Sequence, residues 1–416
     1  MKIRKIGKDK KTLVENFLSL SFLQLATYIY PIITLPYLVK VLGSGKYGIV
    51  AFAWSFNMFF QIIIDFGFNL SATKDLSVNR MDKEKVSEIF SSVINIKLMM
   101  SFICFFILLF IIFTFEKFKY EKAIHIYTFI MVIGNAMFPK WFFQGIERMK
   151  YITALNILMR TIFLVTIFVF IKGESDYIYV PLLTALGEFV AIVIAFYYVI
   201  YKFDVKYYFP KANILYMYLK NSTQFFLSRV SVSLFNSSSV FFLGFFVKED
   251  ILGCYAISQK LFSMLKNSYT PIVQTLYPYI AYKKNVQFYK KIFKILVISH
   301  TIAIILIFPF VGYILDILFD NVDILLITRA FQLFLFCALM TFPSILLGYP
   351  FLAAMGFPKY PNLSVIWASI IYIGILLVLY GFSLINVYSI IFAIITAESF
   401  TFIYRVIAVK RNNLWK

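Results

Sequence analysis

Long apolar runs alternate with short polar stretches along the whole 416-residue chain. A membrane-spanning helix needs about 20 mostly apolar residues, and we find twelve runs of this kind. We predict helices at residues 14–40, 47–73, 89–115, 123–146, 151–172, 177–201, 217–247, 251–281, 290–318, 324–354, 362–382 and 386–408. The pattern therefore predicts an all-α integral membrane protein with twelve transmembrane helices.

A short internal similarity indicates that the chain has two halves. Asn16 precedes a long apolar run that ends at Leu42-Gly43, and Asn221 lies near the start of another run, which ends at Leu252-Gly253. The most polar interior stretch, residues 202–216, lies between them. We predict an N-terminal lobe at 1–205 and a C-terminal lobe at 206–416, each with six helices. Two such lobes around a central cavity are a common transporter plan.

Composition excludes a soluble protein, because 61% of the residues are hydrophobic and 14% are charged. Soluble domains have about 45–50% apolar and about 25% charged residues. Twelve spans leave loops of about nine residues, which are too short for a nucleotide-hydrolysing domain.

The G-x-G-x-x-G at residues 43–48 joins two apolar runs instead of following a strand, so we predict a helix-ending turn. We expect no catalytic residue, no metal site, no cofactor and no nucleic-acid partner.

The excess of 40 Lys and Arg over 20 Asp and Glu indicates the orientation of the chain. Basic residues concentrate in both tails and in every second loop, whereas most acidic loop residues lie in the other loops. Because cytoplasmic loops of membrane proteins carry the excess of Lys and Arg, we predict that both termini are cytoplasmic. The first apolar run is longer than a signal-peptide core, so we expect no cleaved leader.

Charged residues inside the predicted spans are the candidate functional groups. The basic ones form a candidate cationic cavity: Lys97, Lys140, Arg160, Arg229, Lys260, Lys266 and Arg329. A charge at the bilayer centre costs about 2.5–3.5 kcal/mol, so such groups should face water, pair with acids or bind an anion such as pyrophosphate. Snorkelling towards the membrane surface is the alternative, above all for the residues near span ends: Lys140, Lys260 and Arg329.

Three acids also fall inside spans: Asp65, Glu188 and Glu398. Intramembrane acids mark proton and sodium routes, so these residues are candidates for ion coupling. The alternative for each acid is a salt bridge with one of the more numerous bases. Three acids cannot neutralise seven bases, and this imbalance favours an anionic cargo.

Several stretches resemble a known family of membrane proteins. The first block is VLGSGKYGIVAF at residues 41–52, continued by IDFGFNLSATKDLS at 64–77 and by Asn79-Arg80. The second is PKWFFQGIERMKYIT at 139–153, followed by Asn156 and Arg160. FFLSRV at 225–230, GCYAISQKL at 253–261 and QTLYP at 274–278 complete the pattern. Together they are similar to the polysaccharide-synthesis exporters of O-antigen flippase (Wzx) type, within the multidrug/oligosaccharidyl-lipid/polysaccharide exporter superfamily.

The resemblance implies two six-helix lobes, a central cavity and alternating access in a bacterial inner membrane. It implies a cargo of undecaprenyl-pyrophosphate-linked oligosaccharide, such as an O-antigen repeat unit for lipopolysaccharide biosynthesis. Membrane lipid and this lipid-linked oligosaccharide are the expected partners. A proton, a sodium ion and a polysaccharide polymerase are candidate further partners.

Two other functions stay open at this point. A drug exporter of the related multidrug class would need acidic groups in its cavity for cationic drugs. A membrane-embedded polymerase or ligase would need catalytic groups in a large external loop, and the loops predicted here are short. We therefore expect a transporter and not an enzyme.

Overall fold

A computed structural model of the chain describes residues 2–320 and 322–415, with side chains at 29–226, 238–320 and 322–415. Within these residues the structure is helical and contains no strand. The α-helices are α1 (Lys2–Asp65), α2 (Phe68–Asn79), α3 (Lys83–Thr114), α4 (Glu116–Lys119), α5 (Lys122–Met137), α6 (Lys140–Gly145), α7 (Met149–Phe170), α8 (Val180–Tyr197), α9 (Ala212–Leu243), α10 (Glu249–Ser268), α11 (Thr270–Lys283), α12 (Val286–Ile307), α13 (Val311–Leu318), α14 (Ile324–Leu346), α15 (Lys359–Gly381) and α16 (Val387–Arg411). Two 3-10 turns and two π-helical segments join some of them: Glu174–Tyr179, Phe308–Phe310, Tyr198–Lys202 and Leu347–Ala353.

Nine helical segments among the described residues are long and apolar enough to cross a membrane. The first, Ile29–Asn79, includes the span predicted at 47–73 and residues 29–40 of the span predicted at 14–40. The spans predicted at 217–247 and 251–281 are helical, as α9 and as α10 with α11, but are not among the nine. Lys260 and Lys266 lie within α10 and lower its hydropathy. The prediction of an all-helical, multi-pass membrane protein is confirmed, and the number twelve stays a prediction.

Contacts divide the chain into two compact units. The first unit comprises Met1–Leu42 and Ala53–Val230, and the second comprises Gly43–Phe52 and Ser231–Lys416. The lobes predicted at 1–205 and 206–416 stay a prediction. Asn16 and Arg229, which the sequence analysis singled out, lie outside the described side chains.

Aromatic residues form the centre of each unit. In the first unit the indole of Trp141 and the ring of Phe142 pack against Phe90 of α3, and all three side chains are fully buried. In the second unit the rings of Tyr289 and Phe351 stack with centroids 4.5 Å apart. Such aromatic pairs add about 0.5–1.5 kcal/mol beyond the burial of their area.

The glycine-rich motif at 43–48 breaks α1 and lets two backbones approach closely. Gly43 has φ 70°, a left-handed conformation that interrupts the helix as predicted for a turn. In the second unit, a β-carbon at Gly48 would lie 2.2 Å from the Glu249 carbonyl oxygen, and one at Gly253 would lie 1.8 Å from the Ser44 carbonyl oxygen. Neither position tolerates a side chain, so the motif serves helix packing.

The polar stretch before α9 is fastened along α3 within the first unit. The backbone N–H groups of Lys206 and Tyr208 donate to the hydroxyls of Ser87 and Ser91, at 3.1 Å each. The amide of Asn95 donates to the Tyr208 carbonyl at 3.2 Å. These three α3 side chains recur at every fourth residue, so they form one face of the helix. We call residues 203–211 the strap.

An exposed ion pair adds to this attachment. Lys83 Nζ lies 2.7 Å from Asp204 Oδ2, and both side chains are largely exposed. The hydrogen bond from Lys83 and its positive charge hold the pKa of the Asp204 carboxyl below its usual value.

Candidate functional site

The helix of the fourth predicted span is broken at Pro139, and a buried ion pair lies at the break. α5 ends at Met137 because the residue before a proline avoids the helical conformation. The last carbonyls of a helix have no regular partner within it. Lys97 of α3, only 1% exposed, donates from Nζ to the Ala136 carbonyl at 2.6 Å.

The same ammonium group is paired with the first of the three acids. Lys97 Nζ lies 2.8 Å from Asp65 Oδ1, and the Asp65 side chain is 21% exposed. Asp65 is the last residue of α1, where the helix dipole disfavours a negative charge. Lys97 therefore neutralises Asp65 and binds a helix-end carbonyl, which occupies two of its three donors.

A second polar chain connects three helices of the first unit and ends at Glu188. Gln61 of α1 donates to Asn135 Oδ1 of α5, and Asn135 Nδ2 donates to Glu188 Oε1 of α8 at 3.2 Å. Glu188 is 7% exposed, and its Oε2 atom has no hydrogen-bond partner among the described residues. A β-carbon at Gly134 would lie 2.7 Å from that oxygen, so glycine leaves room for the carboxylate.

Arg160 of α7, another basic residue of the first unit, is paired with no acid among the described residues, unlike Lys97. It is half-buried and forms no hydrogen bond or ion pair with any side chain that the structure describes. The neighbouring Thr161 is engaged by Tyr30 of α1, whose hydroxyl lies 2.6 Å from Thr161 Oγ1. A guanidinium inside an apolar helix retains its five donors for another partner.

In the second unit, Lys266 of α10 is paired with Glu398 of α16. The Nζ–Oε1 distance is 3.0 Å, and the Glu398 side chain is 9% exposed. α10 also contacts α9 through polar side chains, because Gln259 Nε2 donates to Ser239 Oγ at 2.7 Å. Two of the three candidate acids thus form salt bridges, the alternative that the sequence left open.

The remaining predicted bases have different surroundings. Lys140 is exposed in the first turn of α6, and Lys260 is half-buried in α10. Arg329 is exposed on α14, where it lines a groove of about 400 Å³. The structure describes the side chains of six of the seven bases, all except Arg229, and these six differ in burial and in the helices that carry them.

Sequence analysis missed a buried arginine on the last helix. Arg405 of α16 is 7% exposed and lies inside the twelfth predicted span, two turns after Glu398. Its Nη1 donates to the Ser344 carbonyl at 2.7 Å, its Nε to Ser364 Oγ at 3.0 Å and its Nη2 to the Pro361 carbonyl at 3.4 Å. The signal that could have identified Arg405 from the sequence was its position inside a predicted apolar span.

Arg405 forms its hydrogen bond to Ser344 near the point where α14 passes into the π-helical segment Leu347–Ala353. This segment contains Pro350 and the non-helical Gly348, whose ψ is −113°. Tyr289 of α12 donates to the Leu346 carbonyl at the same point, at 2.6 Å. In each unit, therefore, a basic side chain binds a carbonyl at the end of a proline-broken helix, which is how membrane proteins satisfy such groups.

Comparison with known proteins identifies the family. The family described as "Polysaccharide biosynthesis protein" matches residues 13–284, more than half of the chain. The chain belongs to this family. The resemblance expected from the sequence blocks is thereby confirmed.

The chain is also similar to a curated protein and to solved structures. It is 27% identical over 277 residues to the "Putative O-antigen transporter" of Escherichia coli (strain K12), which covers 66% of this chain and 66% of that relative. The match thus spans just under two thirds of the relative's length. The solved structure of "Lipid II flippase MurJ, inward closed conformation" is 14% identical with a TM-score of 0.73 and covers 95% of this chain and 87% of that chain.

A multidrug transporter has a similar fold as well. The "Inward-facing conformation of a multidrug resistance MATE family transporter of the MOP superfamily" is 14% identical with a TM-score of 0.69, covering 94% of this chain and 97% of that chain. Likeness at this identity concerns the fold alone.

Proposed function

We propose that the family member described here is a flippase for an undecaprenyl-pyrophosphate-linked oligosaccharide, such as an O-antigen repeat unit. It would act in a bacterial inner membrane by alternating access, with twelve spans in two six-helix lobes around a central cavity and both termini cytoplasmic. The family match over residues 13–284 is the observation that carries this proposal. The printed name of the Escherichia coli relative supports an O-antigen cargo.

The ion pairing of the basic residues supports an anionic cargo and changes their ranking as candidate contacts to it. Lys97 and Lys266 are each neutralised by a carboxylate, whereas Arg160 forms no ion pair with a described residue. Guanidinium groups bind phosphate oxygens in a two-pronged geometry. We therefore place Arg160 first among the candidate contacts to the pyrophosphate, with Arg229, Lys140 and Lys260 as further candidates.

Reversing the charge of Arg160 should abolish export. In a strain that lacks the chromosomal copy, Arg160→Glu should remove surface polysaccharide while the amount of protein in the membrane stays near wild type. Arg160→Gln should lower export at least ~10-fold, since a charge-assisted hydrogen bond contributes about 1.5–3 kcal/mol. Immunoblotting of the surface polymer and of the tagged transporter measures both quantities.

The control is Arg411→Gln, which removes an exposed arginine at the end of α16 and should leave export unchanged. Normal export by Arg160→Glu at normal protein levels would contradict a cationic contact at this residue. Accumulation of lipid-linked oligosaccharide on the cytoplasmic side in the deletion strain distinguishes a flippase from a polymerase or ligase, because loss of either enzyme leaves translocation intact.

The likeness to a multidrug transporter favours one competing function, drug export. That reading predicts increased drug sensitivity in the deletion strain with surface polysaccharide unchanged. The flippase proposal predicts the reverse result. We place the flippase first because the family match and the named relative both concern polysaccharide.

Among the three acids, Glu188 is our first candidate for ion coupling, ahead of Asp65 and Glu398. Asp65 and Glu398 each bind a lysine, so a change in their protonation would leave a cation unpaired. Glu188 has a neutral amide, Asn135, as its hydrogen-bond partner and one oxygen without a partner among the described residues. A buried carboxyl of this kind can bind and release a proton or a sodium ion without disrupting an ion pair.

Glu188→Gln should uncouple export from the ion gradient. In inverted membrane vesicles, we expect wild-type transport of lipid-linked oligosaccharide to change with an imposed pH or sodium gradient. The Glu188→Gln variant should transport at a rate that neither gradient alters, because an amide takes up no proton and lacks the negative charge that attracts sodium. Glu174→Gln, at an exposed position of the same unit, is the control. An unchanged gradient response in Glu188→Gln would exclude this residue.

A further inference from the structure

A groove on the second unit combines unpaired polar groups with an apolar floor. It has a volume of about 400 Å³ and is lined by Phe308, Arg329, Gln332, Leu333, Phe336 and Tyr388. These residues come from the 3-10 turn that follows α12, from α14 and from the start of α16. None of them belongs to the salt bridges described above.

Two polar groups that line the groove have no hydrogen-bond partner among the described side chains. Arg329 is in the second turn of α14, and neither its guanidinium nor the hydroxyl of Tyr388 has a hydrogen-bond partner among the described side chains. Gln332 is tethered, because its Nε2 donates to the Phe308 carbonyl at 3.3 Å. Two free donor groups therefore line the same groove.

The apolar groups continue from there along α14. Arg329, Leu333 and Phe336 follow at intervals of four and three residues, so they share one face of the helix. Seven residues of α-helix extend over about 10 Å. Phe336 is 50% exposed and Phe308 is 41% exposed, although both are large and apolar. Along α14, the lining of the groove thus passes from a cationic side chain to apolar ones.

We propose that this groove binds an anionic membrane phospholipid. Its phosphate accepts hydrogen bonds from Arg329 and Tyr388, and one acyl chain lies against Leu333, Phe336 and Phe308. An anionic amphiphile is complementary to both parts of this lining, and arginine is suited to phosphate oxygens. The groove's volume of about 400 Å³ accommodates a phosphate and part of a chain and is too small to enclose an oligosaccharide as well. This site is therefore separate from the proposed cargo site.

Lipid retention by the purified, delipidated protein tests the proposal. The probes are palmitoyl-oleoyl phosphatidylglycerol, the phosphatidylcholine with the same chains and an isoprenyl monophosphate, each followed by native mass spectrometry. We expect wild-type protein to retain phosphatidylglycerol preferentially. Arg329→Gln should lower its retention about fivefold and leave phosphatidylcholine unchanged, because one basic residue at a membrane surface contributes a modest attraction to anionic lipid.

Two further variants make the result specific. Arg329→Lys should keep part of the preference, since it retains the charge but not the planar guanidinium. Lys248→Gln removes an exposed charge of the same unit outside the groove and should have no effect. Equal retention of phosphatidylglycerol by wild type and Arg329→Gln would overturn the proposal. Preferential retention of the isoprenyl monophosphate over phosphatidylglycerol would overturn it too, by assigning the groove to the lipid carrier.

Discussion

The Asp65→Asn variant should lose most of its folded protein. The substitution leaves the Lys97 ammonium, 1% exposed, without its carboxylate at a position that water does not reach. Removing one partner of a buried ion pair costs about 3–5 kcal/mol, because the other charge stays buried and uncompensated. The variant should therefore give a lower thermal midpoint and a smaller monodisperse fraction in size-exclusion chromatography of detergent-solubilised protein.

The double variant Asp65→Asn with Lys97→Gln should recover much of the loss. It removes both charges and leaves the glutamine amide available to the Ala136 carbonyl. The matched control is Asp204→Asn, which breaks an aspartate–lysine pair of similar length in the same unit whose members are largely exposed. Exposed pairs contribute little, so that variant should behave as wild type. A normal thermal midpoint for Asp65→Asn would show that Lys97 does not depend on this carboxylate.

Arg405→Ala should destabilise the protein to a similar degree. The guanidinium holds α14, α15 and α16 together through the Ser344 carbonyl, the Ser364 hydroxyl and the Pro361 carbonyl. Hydrogen bonds from a charged donor contribute about 1.5–3 kcal/mol each. The Ser344 carbonyl would keep the Leu347 N–H as a donor and the Pro361 carbonyl would keep the Ser364 hydroxyl. We expect a loss of at least about 3 kcal/mol, measured as the thermal midpoint and the yield of solubilised protein.

Arg405→Lys should have a stability between those of wild type and Arg405→Ala. Lysine keeps the charge but lacks the rigid planar group that reaches several acceptors at once. Arg411→Ala, in the exposed last turn of the same helix, should change stability by no more than about 1 kcal/mol. If Arg405→Ala remained as stable as Arg411→Ala, the carbonyls at the end of α14 would have adequate partners without the arginine.

Hydropathy located the helices because the membrane imposes a simple rule on length and composition. It did not determine which prolines interrupt them. Pro31 and Pro36 lie inside α1 without ending it, whereas the helix stops before Pro139. At the break before Pro139, a donor from another helix is present, because Lys97 binds the Ala136 carbonyl.

The same limitation applies to the candidate site. An intramembrane lysine is visible in the sequence, but its partner is not, since Asp65 and Lys97 are 32 residues apart and meet only through packing. Arg405 was missed because its acceptors include backbone carbonyls, which every residue has and no motif marks. Sequence alone could thus name the charges, and contacts were needed to separate those that support the fold from Arg160 and Glu188.

The strap has a practical consequence for dividing the protein into two separately expressed fragments. A cut after residue 205 would separate the backbone groups of Lys206 and Tyr208 from the fragment that carries their acceptors, Ser87 and Ser91. A cut between Lys211 and α9 would keep the strap in the same fragment as α3, to which it is bound. Fusion tags and inserted domains face the same choice, since an insertion within residues 203–211 would displace the strap from α3.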